Sequence, residues 1–154
     1  MNEERRAIRR LLWKWGQVME YCAARQREID GFQEIANAAR DLPPVRLTGL
    51  PGSKTPSDMT GMLAIRAEEL AKQYDGIIKQ LMADCDKALK FKSAMDDIIS
   101  QLSMEQQKIL ELRYKQGCKW TFIAFKICSS ERRIRRLEEQ AVDQLGPYIK
   151  VDRF

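Results

Sequence analysis

The chain has 154 residues, with 27 Lys and Arg against 22 Asp and Glu, and no histidine. This length holds one or two small domains, and 44% hydrophobic residues suit a folding chain; the missing imidazole removes the commonest general base and metal ligand and every Ser-His or Cys-His nucleophile arrangement. The net charge of +5 suits an anionic partner and lies toward the chain's two ends: residues 57–102 carry 6 basic and 8 acidic groups, whereas residues 1–40 carry 8 and 6 and residues 103–145 carry 9 and 6.

The four cysteines, Cys22, Cys85, Cys118 and Cys128, form no C-x-x-C pair and have no histidine to complete a zinc set. No metal and no cofactor is expected, and the thiols read as free groups of a reducing compartment. The start is charged through Glu3, Glu4, Arg5 and Arg6, and no apolar run approaches the ~18 residues of a membrane span, so a cytoplasmic, non-membrane protein is expected.

Residues 2–40 contain no proline, and apolar side chains recur at helical spacing. As heptads, Ile8, Trp15, Cys22, Ile29 and Ala36 take the a positions and Leu11, Val18, Arg25, Phe32 and Ala39 the d positions. Within this helix the aromatic-basic run from Arg9 to Trp15 also has the composition of a segment that touches membrane or nucleic acid, although the stripe already accounts for Trp15. Pro43 and Pro44 end the helix, and residues 41–55 form a connecting loop. Thr55, Pro56 and Asp58 then carry the cap signals of a second helix. Its stripe takes Leu63, Leu70, Ile77, Asp84, Phe91 and Ile98 at d, with Ala67, Tyr74, Leu81, Ala88, Met95 and Leu102 at a. Two helices of about 39 and 46 residues, about 58 and 69 Å long, must bury such stripes against each other or a second subunit. An antiparallel hairpin that oligomerises is expected. If both helices start level at the loop, Arg25 and Asp84, the charges at d positions, lie about 20 Å apart in depth.

Residues 103–145 hold three helix signals. Ser103 and Gln106 form a capping box before Ile109, Leu110 and Leu112, and Gly117 follows as a C-terminal glycine. A short helix from Lys119 to about Ile127 buries Trp120, Ile123 and Ala124. After the break at Cys128-Ser129-Ser130, Ser130 caps a helix that runs to Leu145 and ends at Gly146-Pro147. Short helix, tight turn and longer helix make the plan of a helix-turn-helix. Ile134, Leu137, Ala141 and Leu145 give the longer helix an apolar face, and Glu131, Arg132, Arg133, Arg135 and Arg136 give its first turns a charged one. Arginine forks match guanine edges and phosphates, and a glutamate accepts from a cytosine amine. The plain alternative is a solvated face bridged to Glu138 and Glu139.

The run Ile98 to Leu102, then Ile109 to Tyr114, Gly117, Trp120, Ile123-Ala124, Ser130-Glu131, Ile134-Arg135 and Ala141 to Leu145 resembles region four of sigma-70-type factors. It is closer still to the phage and prophage late-gene activators of the RinA and ArpU type, in which W-x-x-I-A and a Ser-led recognition helix recur. The likeness covers residues 94–145 and departs at Ser129, where a buried valine is usual; nothing matches the other promoter-reading or core-binding regions of sigma factors. It implies DNA readout through Glu131, Arg132, Arg135 and Arg136.

The combined expectation is an all-α chain: residues 1–93 as an oligomerising, coiled-coil-like hairpin, residues 94–146 as a helix-turn-helix DNA-binding domain and residues 147–154 as a tail. The candidate DNA-contacting set is Lys119, Trp120, Ser130, Glu131, Arg132, Arg133, Arg135 and Arg136. Double-stranded DNA is the expected partner, with a homo-oligomer, a dimer foremost, presenting paired recognition helices. The role expected is transcription regulation of phage or prophage origin. The alternatives are a DNA-packaging subunit like the small terminases, and a coiled-coil adaptor whose region-four fold binds RNA polymerase. An enzyme is not expected: adjacent carboxylates such as Asp96 and Asp97 diverge by ~100° on a helix, and no Gly-rich phosphate loop is present.

Overall fold

The computed structural model describes residues 2–41 and 57–149, with side chains described for 2–41 and 65–149. Its elements are α1 (Asn2–Arg40), α2 (Ser57–Ile99), α3 (Met104–Leu110) continued by one π-helical turn (Glu111–Lys115), α4 (Trp120–Ile127) and α5 (Glu131–Leu145). The described residues contain no strand, so the fold is all-α. The expected loop beyond Asp41, the Thr55–Pro56 cap and residues 150–154 of the tail lie outside the described residues, and so does the side chain of Leu63. None of the described helices is long and apolar enough to cross a membrane.

The chain divides into two compact units, Met1–Cys22 with Asp86–Phe154, and Ala23–Cys85. The division does not follow the expected boundary after residue 93, because the first 22 residues and the end of α2 belong with α3 to α5. The core of the first unit explains this. Ile8, Leu12, Trp15 and Val18 of α1 join Phe91, Met95 and Ile99 of α2 and Ala141, Val142 and Leu145 of α5, closed by Leu110, Tyr114 and Ile149. The apolar face of α5 supplies the burial that the α1 stripe requires, at about 1.5–3 kcal/mol per large side chain. Ile149, within the expected tail, is buried in the same core. A second cluster of Ile109, Leu112, Ile123, Ala124 and Ile134 joins α3, the π turn, α4 and α5.

Gly16 sets how closely α1 approaches the π turn. A Cβ at this position would fall inside the van der Waals envelope of the Tyr114 carbonyl and stand 3.0 Å from the Lys115 nitrogen. Local capping follows the sequence: Ser103 and Gln106 close a reciprocal box, and Gly117 is left-handed with φ 64°. Cys128 holds the left-handed position after α4 at φ 57° without being a glycine.

In the second unit, Ile29 clusters with Ile78 and Leu81, Phe32 stacks on Tyr74 with ring centroids 5.6 Å apart, and Arg40 pairs with Asp75. From Ile29 to Phe32 the contacts step forward along α1 and back along α2, from Ile78 and Leu81 to Tyr74. Arg40 meets a residue 75 − 57 = 18 positions into α2, so the helices do not start level. The register of Ile29 against Ile78 and Leu81 therefore puts Arg25 at the depth of Asp84, and the expected ~20 Å offset is corrected. Within their own helices Arg25 binds Glu28 at 2.8 Å and Asp84 accepts from Gln80 at 3.1 Å. The expected d positions Leu70 and Ile77 are 43% and 42% exposed, whereas Ala71, Ile78 and Leu81 are buried.

Candidate nucleic-acid interface

α5 is strongly two-faced. Ile134, Glu138, Ala141, Val142 and Leu145 are buried, and the 3.6-residue period turns Arg132 and Arg136 to the opposite side. Both are exposed, and among the described residues neither has a carboxylate within 4.0 Å. The other expected contacts are engaged within the chain. Arg135 donates to Glu131 Oε1 from Nε at 3.0 Å and Nη2 at 2.6 Å, an i, i+4 pair at the surface of the helix. Arg133 donates to Glu105 of α3 at 3.2 Å. Ser130 accepts the Arg133 backbone N–H at 3.3 Å, so it caps α5 as its position before the helix requires. Lys119 is exposed at the N-cap of α4, and the half-buried Trp120 packs against the second core cluster.

The structure adds residues that the sequence did not single out. Glu138, which the plain alternative would leave on a solvated face, is 2% exposed. It accepts from Arg9 Nε at 3.0 Å and Nη2 at 2.8 Å and from the Tyr114 hydroxyl at 2.7 Å, so α1 and the π turn are fastened to α5 through one carboxylate. The bond to Glu138 holds the Arg9 guanidinium above its ordinary value, and burial followed by the same carboxylate pushes the Tyr114 phenol up. Arg5 forks onto Asp143 at 2.8 and 2.7 Å one turn beyond.

Beside this fastening, Arg113 lies 4.6 Å over the Trp120 ring and 5.6 Å from the Trp13 ring, and Arg135 stands 5.7 Å from Trp120. Trp13 meets Tyr114 edge-on at 5.0 Å. Arg9, Trp13, Arg113, Trp120 and Arg135 with Glu139 line a surface hollow of about 340 Å³. No sequence pattern joins residues 9, 13, 113 and 135. Only the fold brings them together.

Among the described residues no group of three or more Cys, Asp or Glu stands close enough to hold a metal ion. No protein-family model, no curated protein and no solved structure matches the chain.

Proposed function

We propose that the protein is a double-stranded-DNA-binding protein that reads its site with α5 as the second helix of a helix-turn-helix. More particularly, it acts as a transcription regulator of phage or prophage origin with a region-four-like module. The observation that carries the reading is the pair of exposed arginines, Arg132 and Arg136, on the first turns of an amphipathic helix that follows a tight turn. Their five donors each are left for guanine edges or phosphates, while Arg133 and Arg135 brace the helix from its two sides. Arg133 and Glu131 thus take positioning roles, and Trp120 anchors α4 beneath Arg135.

The antiparallel helices of the second unit oligomerise the protein and present paired modules to DNA. Support comes from Leu70 and Ile77, apolar stripe positions left exposed in the single chain. Selection of bound sequences from a random duplex pool tests the function. Enrichment of a motif with two related half-sites is the expected result, and a pool that stays random refutes sequence reading. Arg136→Ala should lower affinity for the selected site by about 1–3 kcal/mol with unchanged helix content, and an unchanged affinity refutes the assignment to α5.

A further inference from the structure

α1 runs antiparallel beside α5, because Arg5 meets Asp143 and Arg9 meets Glu138. The helix surface next to these forks carries Arg6 and Arg10 one turn apart, both exposed. Among the described residues neither lies within 4.0 Å of a carboxylate. Fastening α1 to α5 uses Arg5 and Arg9 and needs neither of them. Like charges at i, i+4 disfavour an isolated helix by a few tenths of a kcal/mol, so the pair contributes nothing to the fold. Trp13, a further turn on, is 37% exposed and carries the row to Arg113, Trp120 and Arg135 at the start of α5.

We infer that Arg6 and Arg10 form a second DNA contact, on the phosphate backbone at the edge of the groove that α5 enters. Packed helices lie about 8–10 Å apart, and the major groove is about 12 Å wide. A helix lying alongside one seated in the groove therefore stands over a phosphate row and not over base edges. Guanidinium groups without internal partners fit that row, and such contacts set register and orientation without reading sequence.

This inference rests on the DNA-binding reading, and the test separates the two. Arg6→Gln with Arg10→Gln is titrated against a random-sequence duplex of about 30 base pairs over a range of salt concentrations. Two phosphate contacts predict a salt slope shallower by about 1.8 and a similar affinity loss on every sequence. Arg6→Lys with Arg10→Lys, which keeps the point charges, should restore the slope. Helix content and melting temperature should stay at wild-type values, because both sites are exposed. If the wild type shows salt-dependent binding that Arg136→Ala weakens, an unchanged slope in the Gln variant overturns the second contact alone. A loss that Lys does not restore also overturns it. Absence of salt-dependent duplex binding by the wild type overturns the DNA-binding reading and this contact with it.

Discussion

Replacing Gly16 by alanine should destabilise the protein, although alanine is the better helix former by about 1 kcal/mol. The new methyl would overlap the Tyr114 carbonyl, and neither backbone can yield alone, so α1 must retreat from the π turn by on the order of 1 Å. The retreat opens the core around Ile8, Leu12, Trp15 and Val18. Four buried side chains at about 2 kcal/mol each put roughly 8 kcal/mol at stake, and a gap of that size forfeits a quarter to a half of contact energy. The loss is then about 2–4 kcal/mol, and the net cost after the propensity gain about 1–3 kcal/mol. Gly31 and Gly76 provide internal controls, since a Cβ at either would meet nothing within 4 Å. Their alanine variants should gain up to about 1 kcal/mol each. Thermal unfolding measures all three, with about 2–4 °C expected per kcal/mol at this size. A Gly16→Ala protein that melts above the wild type, as the other two should, would refute the close approach of α1 to the π turn.

Tyr114→Phe removes one donor from the buried Glu138 and should cost about 1.5–3 kcal/mol in urea unfolding; a change below about 0.5 kcal/mol would mean that Arg9 alone satisfies that carboxylate. Burial raises the Asp96 carboxyl, but the bonds from Lys92 at 2.7 Å and Trp15 at 2.8 Å outweigh it and hold the group below its ordinary value of 3.8. A depressed folded value contributes stability above the unfolded value and loses it as pH falls through the folded one, so the melting difference between wild type and Asp96→Asn should narrow between about pH 5 and pH 2; a difference that stays constant would refute it. Leu70→Ser with Ile77→Ser should leave helix content intact and shift sedimentation toward monomer, and an unshifted species would assign oligomerisation to another surface.

The helices were readable because their signals are local. Ser103 with Gln106, Gly117, Ser130 and the apolar spacing of Ile134, Ala141 and Leu145 each dictate a cap or a face within a few residues. The division into units was not, because heptads state that α1 has a buried stripe and not what buries it: Ile8 and Trp15 pack with α5, while Ile29 of the same stripe packs with Ile78. The candidate interface was readable by composition and only partly by role. Four arginines in one run look equivalent in the sequence, and all four are exposed; Glu105 and Glu131 pair with Arg133 and Arg135 and leave Arg132 and Arg136 without a carboxylate within 4.0 Å among the described residues. Glu138 reads as a solvent carboxylate because its partners, Arg9 and Tyr114, come from segments 129 and 24 residues away. No local sequence pattern marks the π turn, and it is the element that Gly16 fits.

The fork between Arg5 and Asp143 spans 138 residues, and this separation orders the events of synthesis. Residues 1–22 leave the ribosome with their apolar stripe bare, and at ~5–20 residues per second α5 follows some 6–25 s later. The residues of the second unit, which ends at Cys85, are all made within that interval. Its antiparallel pairing holds α1 against α2 and shortens the chain loop that remains to be closed when α5 arrives. Residues 8–18 of α1 therefore wait for α5 to complete their core. A nascent protein stalled before α5 has emerged from the ribosome should expose Leu12 and Trp15 to chaperones, whereas the released protein should not.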